Sequence, residues 1–263
     1  QSVTVTFPEV EAEFYVKLLA KKKSYGPYNG AYRDLYLDPD GEPDASTAAY
    51  LKLNAYRDAD GFYFLGMVGE CNGETDSFDW YWGHYPPDVF KVLVYYPATD
   101  SFAVSGRLKS YAFSSYFTVD LDDINGFDIK AAPSYEYIRE GIALLLRMAL
   151  TIAVELLLAL AFGYRGKKAM LFLAAINAMT QILLNIVLSV VTFQSGFTGF
   201  IIFYIPMELI VFTIELIIYI FNLGKYDKYS GKTGKIVAYT MTANFLSLLL
   251  GFIIQLVAET AAL

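Results

Sequence analysis

One cysteine and one histidine stand in a chain of 263 residues, and those two shortages exclude most familiar site chemistry. Cys71 cannot form an intramolecular disulfide, so the domain that holds it must stand on its own apolar core. It reads as a small buried hydrophobe rather than a reactive thiol. His84 leaves a His-based zinc site or a Ser-His-Asp triad to be built around a single residue. No G-x-S-x-G, H-E-x-x-H, Walker or G-x-G-x-x-G signature accompanies it, which argues against catalysis of the soluble type.

Basic charge is scarce at the front. Residues 1–136 hold 11 Lys and Arg against 21 Asp and Glu, a net charge of −10, whereas the remainder holds 9 against 6, a net of +3. An acidic, Tyr-rich segment with no basic stripe is no partner for nucleic acid. The first residue is Gln1 rather than Met, as expected of a chain whose signal peptide has been removed.

What the chain does have is apolar length. Residues 141–163, 169–193, 199–222 and 236–258 each reach the roughly 20 residues that cross a bilayer core. Their connectors are short. The first carries Arg165, Lys167 and Lys168, the third carries Lys225, Lys228, Lys232 and Lys235 against Asp227, and the second, 194–198, carries no charge. Because cytoplasmic loops concentrate Lys and Arg, the first and third connectors are expected inside the cell, with the N-terminal domain and the C-terminus outside.

The N-terminal region, residues 1–133, reads as β. Runs rich in aromatic and β-branched residues recur between Gly, Pro, Asn and Asp clusters: 2–7, 12–19, 48–57, 61–68, 78–82, 89–96, 102–104 and 111–119. About eight strands predict an antiparallel β-sandwich-like domain. In KVLVYY and YAFSSYFTV the alternation implies one buried and one solvated face. Residues 120–134 read as a linker, and 134–263 as a four-helix transmembrane bundle. The fold class expected is an α+β membrane protein of the cell envelope.

Three features of the front domain invite a binding role. Asp38, Asp40, Glu42 and Asp44 alternate around Gly41, and Asp120, Asp122, Asp123 and Asn125 precede Gly126. Neither cluster has the EF-hand spacing, and turn chemistry accounts for both. The third feature is the run Trp80, Tyr81, Trp82, Gly83, His84, Tyr85. Trp80, Trp82, His84 and Tyr85 are surface candidates for a carbohydrate, a peptide or lipid headgroups, against the plainer reading of a core strand ending in a loop.

The apolar spans carry a polar stripe: Arg147, Thr151 and Glu155, then Asn177, Gln181 and Asn185, then Glu208 and Glu215, then Asn244 and Ser247. Spacings of four and seven residues hold each of the first three sets on one helix face. Counted inward from each span's outer end, Arg147, Asn185 and Glu208 lie roughly 9–12 Å deep, and Glu155, Asn177, Glu215 and Asn244 roughly 21–23 Å deep. The outer set is electrically self-complementary and reads as a structural or gating pair. The inner set has two carboxylates and no cation, so a proton must be shared there or a hard cation such as Na⁺, Ca²⁺, Mg²⁺ or Mn²⁺ held. Interhelical hydrogen bonding is the structural alternative.

Pro206, two residues before Glu208, is expected to kink the third span. Ser247 and Gly251 form a small-xxx-small pair suited to close helix approach. The spans contain no His, Cys or Asp, which leaves little for an intramembrane enzyme. Ion- or proton-linked transport or sensing, with a homo-oligomer or a membrane partner subunit because four spans are few for a pore, is the expected function. A membrane-anchored binding module is the alternative.

Overall fold

The computed structural model describes residues 1–21, 43–83, 85–121, 128–226 and 232–261. The chain divides into two compact units, Gln1–Tyr135 and Glu136–Leu263. Asp38, Asp40, Glu42, His84, Asp122, Asp123, Asn125, Asp227 and Lys228 lie outside the described residues.

The first unit is strand-rich. In chain order it contains β1 (Ser2–Val10), β2 (Phe14–Ala20), α1 (Ala45–Ala55), β3 (Tyr63–Phe64), β4 (Gly69–Cys71), β5 (Thr75–Trp82), β6 (Val89–Tyr96), β7 (Ser101–Ser105), β8 (Leu108–Lys109), β9 (Ser114–Asp120) and β10 (Asp128–Pro133). Among the described residues the ten strands run in the order β3-β2-β6-β7-β10-β9-β1-β5, with β4 on β2 and β8 on β6. The sheet is mixed rather than wholly antiparallel. β1 pairs parallel with β9 and antiparallel with β5.

The expected linker is in part a strand. β10 pairs parallel with β7 through Asp128 and Ile129, then antiparallel with β9 from Lys130 to Pro133. One short strand therefore joins the two halves of the sheet. Both halves line a single core: Val3, Val5, Phe7, Trp82 and Phe117 from one, and Phe14, Val16, Leu18, Phe90 and Val92 from the other. Phe7 meets Phe14 at 4.8 Å between ring centroids, and Phe90 meets Phe117 at 5.3 Å edge to face. Two faces of an amphipathic sheet bury their apolar sides against each other because neither can stay in water.

Of residues 48–57, expected as a strand, 48–55 belong instead to helix α1. Asp44 caps it by accepting from Thr47 N at 2.7 Å, and Ala49 and Leu53, four residues apart, are its buried positions. They pack on Tyr15, Leu19, Leu93 and Tyr95, the second face of β2 and β6. This overturns the solvated face expected for KVLVYY, since β6 is buried from Phe90 to Tyr96. A strand covered on both sides reads as a continuous apolar run. The alternation expected across YAFSSYFTV does appear in β9.

The second unit is helical. α2 (Tyr137–Ala161), α3 (Lys167–Tyr226) and α4 (Thr233–Ala261) are each long and apolar enough to cross a membrane. The second and third expected spans are joined without a loop in α3. A straight 60-residue helix would be roughly 90 Å long, yet Thr180 Oγ1 donates to Glu215 Oε1 at 2.6 Å and Tyr219 Oη to Asn177 Oδ1 at 2.7 Å. α3 is therefore a hairpin of two arms, 167–195 and 197–226. The turn falls at Gly196, whose φ of 65° and ψ of −162° are non-helical and open to a residue without Cβ. Pro206 does not break the second arm; Gly196 is where α3 departs from helical geometry.

The helical unit is inside out by the standards of a soluble protein. Leu145, Leu146, Ile202 and Leu209 are exposed, while Glu155, Asn177, Gln181 and Glu215 are buried. That distribution suits an apolar solvent, where ionisable side chains turn toward the bundle interior. At one end the basic connectors come together: Lys235 Nζ lies 4.7 Å from the Tyr164 ring centroid, and Phe172 stacks on Tyr226 at 4.7 Å.

Candidate functional site

All ten residues of the polar stripe face inward. Nine are buried and Arg147 is half-buried. Three of the inner four, Asn177, Glu215 and Asn244, form a connected group across the two arms of α3 and α4. Glu215 Oε1 accepts from Thr180 and its Oε2 accepts from Asn244 Nδ2 at 2.8 Å. Asn177 Oδ1 accepts from Tyr219, while Asn177 Nδ2 is buried without a hydrogen-bond partner. Glu155, contributed by α2, is 1% exposed, and neither of its carboxylate oxygens has a hydrogen-bond partner. It lies within electrostatic reach of Glu215. The four helical segments thus surround two carboxylates of opposite status, Glu215 held by two donors and Glu155 held by none.

The outer residues meet at a separate place. Arg147, Asn185 and Glu208 line one cavity of about 10 Å³, together with Thr151, Gln181 and Ser247. Among the described residues no ion pair joins Arg147 to Glu208, although both are there. Arg147 Nε and Glu208 Oε2 are buried without hydrogen-bond partners, and Asn185 Nδ2 donates to the Gln181 carbonyl at 2.8 Å instead. Gly251 does permit a close approach. What approaches is a side chain, for the Tyr204 hydroxyl occupies the space a Cβ would need and donates to the Leu248 carbonyl at 2.8 Å.

Thr180, Tyr204 and Tyr219 do not stand out in the sequence, because a hydroxyl in an apolar span resembles ordinary packing. A signal was present. Tyr219 stands four residues after Glu215 and Tyr204 four before Glu208, and Thr180 three after Asn177, all on the faces already marked as polar.

In the sheet domain the aromatic run resolves differently. Trp80 and Trp82 are buried in the core and are not surface groups, because alternate residues of β5 point inward. Tyr81 and Tyr85 are exposed. A polar network stands elsewhere, around Phe62. Lys91 Nζ donates to Asp58 Oδ1 at 2.8 Å and pairs with Asp60 at 2.9 Å, and it lies 5.1 Å from the Phe62 ring centroid. The Lys91 hydrogen bond, with the Arg107 charge behind it, holds the Asp60 carboxyl below its usual range. Cys71 is buried in the core, as a small hydrophobe would be.

Among the described residues no group of three or more His, Cys, Asp and Glu is arranged to hold a metal ion. Comparison with protein-family models and with curated proteins gives no match.

Proposed function

We propose that this chain is an integral membrane protein whose helical unit carries a proton- or cation-binding site at Glu155 and Glu215, linked to transport or sensing. In this reading the sheet unit is a sandwich-like extracytoplasmic domain. The two arms of α3 with α2 and α4 make four spans, and the C-terminus lies outside with the N-terminal domain. The observation that carries the reading is the bare carboxylate of Glu155, buried among four helices and close to a second buried carboxylate. Two such groups cannot both keep an uncompensated charge in a medium of low dielectric, so a proton or a cation must balance them. Their oxygens, with the amides of Asn177 and Asn244, suit Na⁺, Ca²⁺, Mg²⁺ or Mn²⁺ if the balancing species is a metal. Four spans are few for a pore, so self-association or a membrane partner subunit is part of the proposal.

A second reading has its own observation. Glu215 is already satisfied by Thr180 and Asn244, which is how polar groups hold transmembrane helices together. The sheet domain would then carry the function, with the helices as its anchor.

Thermal unfolding of detergent-solubilised protein separates the two. It is followed from about pH 5 to about pH 8 with and without each cation, for wild type and the Glu155→Gln, Glu215→Gln double variant. Ligand binding to the folded state stabilises it by about 2.7 kcal/mol at a hundred times Kd. A rise in Tm with one cation, or a fall in Tm as pH rises, that the double variant loses supports the site. Superimposable curves for both proteins under every condition would support the anchor.

A further inference from the structure

Ser247 belongs to both polar groups of the helical unit. Ser247 lines the cavity beside Arg147 and its hydroxyl is the group placed to donate to Glu155, yet neither that hydroxyl nor either Glu155 oxygen closes a hydrogen bond of normal geometry. On the cavity wall Arg147 Nε and Glu208 Oε2 are buried and equally unmatched. Buried polar atoms are nearly always partnered in folded proteins. Here five unpartnered ones lie in sequence from Arg147 and Glu208 through Ser247 to Glu155. The cavity is about 10 Å³, which is close to the space of one water and far too small for a cation with a shell of six or more oxygens.

We propose that the cavity is a proton-access chamber for the inner carboxylates, with Ser247 as the relay. In uptake, protonated Glu208 gives its proton to a water in the cavity, the water gives one of its own to Ser247 Oγ, and Ser247 gives its original hydroxyl proton to Glu155. Three O–H bonds break and three form. The net result is a carboxylate at Glu208, on the cavity wall it shares with Arg147, and a carboxylic acid at Glu155. The other titratable groups facing Glu155 are Glu215 and Tyr219 from the second arm of α3 and Tyr239 from α4, whose hydroxyl donates to the Glu155 backbone carbonyl at 3.4 Å. This inference rests on the reading that the inner pair holds an exchangeable proton, and it adds the route and the species.

The test is infrared spectroscopy of the full chain in lipid vesicles. The stretching band of a protonated carboxyl is assigned by its loss in Glu155→Gln or Glu215→Gln, and its shift is timed after transfer into D₂O. Ser247→Ala is expected to keep the band but slow its exchange about a hundredfold, the scale of one positioned proton-transfer group. Ser247→Thr, which restores a hydroxyl, is expected to return most of the rate. Wild-type exchange in Ser247→Ala overturns the relay while leaving the inner site standing. Absence of any band sensitive to either Gln variant overturns the inner site and the relay with it. If Ser247→Ala does not fold, Thr151→Ile fills the same cavity from α2; it is expected to slow exchange likewise, and a wild-type rate there overturns the proposal.

Discussion

A buried lysine in the sheet domain shows how much one residue can bias a unit. Lys17 is fully buried on β2, its amine donates to the Leu65 carbonyl, and desolvation pushes its pKa well below the usual 10.5. Between that lowered value and the unfolded value the unfolded chain binds the extra proton. Stability must therefore rise with pH across the window, by up to about 1.4 kcal/mol per pH unit. Lys17→Met is expected to remove this slope, as measured by urea unfolding of the sheet domain's tryptophan signal at several pH values; an unchanged slope would assign it to another group. The same scale shows what is legible in a sequence. The inward stripe of Glu, Asn and Gln could be read from spacing alone, because few other places exist for such groups in an apolar helix. That Glu215 would be satisfied and Glu155 left bare could not, since it depends on which hydroxyls and amides neighbouring helices bring within 3 Å.

Elements were legible where period and length agreed, and misread where context overrode them. β6 keeps its expected bounds, Val89–Tyr96, but its two-sided burial depends on α1, whose composition reads as a strand. Asp44, placed just before the 45–55 run as an N-cap, is the signal of a helix start. The 120–134 linker failed for the opposite reason. β10 is short and poor in β-branched residues, and its pairing with β7 and β9 supplies what its own composition lacks. In the helices, Pro206 is the expected break but Gly196 makes the turn, because neighbouring helices accommodate a proline in a span whereas φ of 65° with ψ of −162° suits only glycine well. Gly196→Ala is expected to cost roughly 1–3 kcal/mol, read as a lower unfolding midpoint in denaturing detergent. Pro206→Ala is expected to change it little. The reverse ranking would relocate the turn.

At the scale of the whole molecule, the two units follow different solvent rules. One buries Phe, Val and Trp and shows charge outside, while the other shows Leu and Ile and buries Glu and Asn. Orientation is the prediction that belongs here. Thr198, at the uncharged turn, and Lys168, in a basic connector, are both exposed. In intact cells Thr198→Cys is expected to react with a membrane-impermeant thiol reagent and Lys168→Cys to react after lysis alone. Cys71 is buried and should contribute little background. Labelling with the opposite sidedness would invert the topology.

The amino-acid order by itself determined that this chain has an acidic strand-rich front and a long apolar rear, and that the polar residues of that rear share inward faces. Composition and helical period are local properties, and bilayer-length apolar runs admit few alternatives. Only the tertiary structure decided that α1 seals the sheet, that β10 joins its halves, that α3 doubles back at Gly196, and that Arg147 and Glu208 share a cavity without pairing. Each of these depends on contacts between segments distant in the chain, where geometry of a few tenths of an ångström decides whether a hydrogen bond forms.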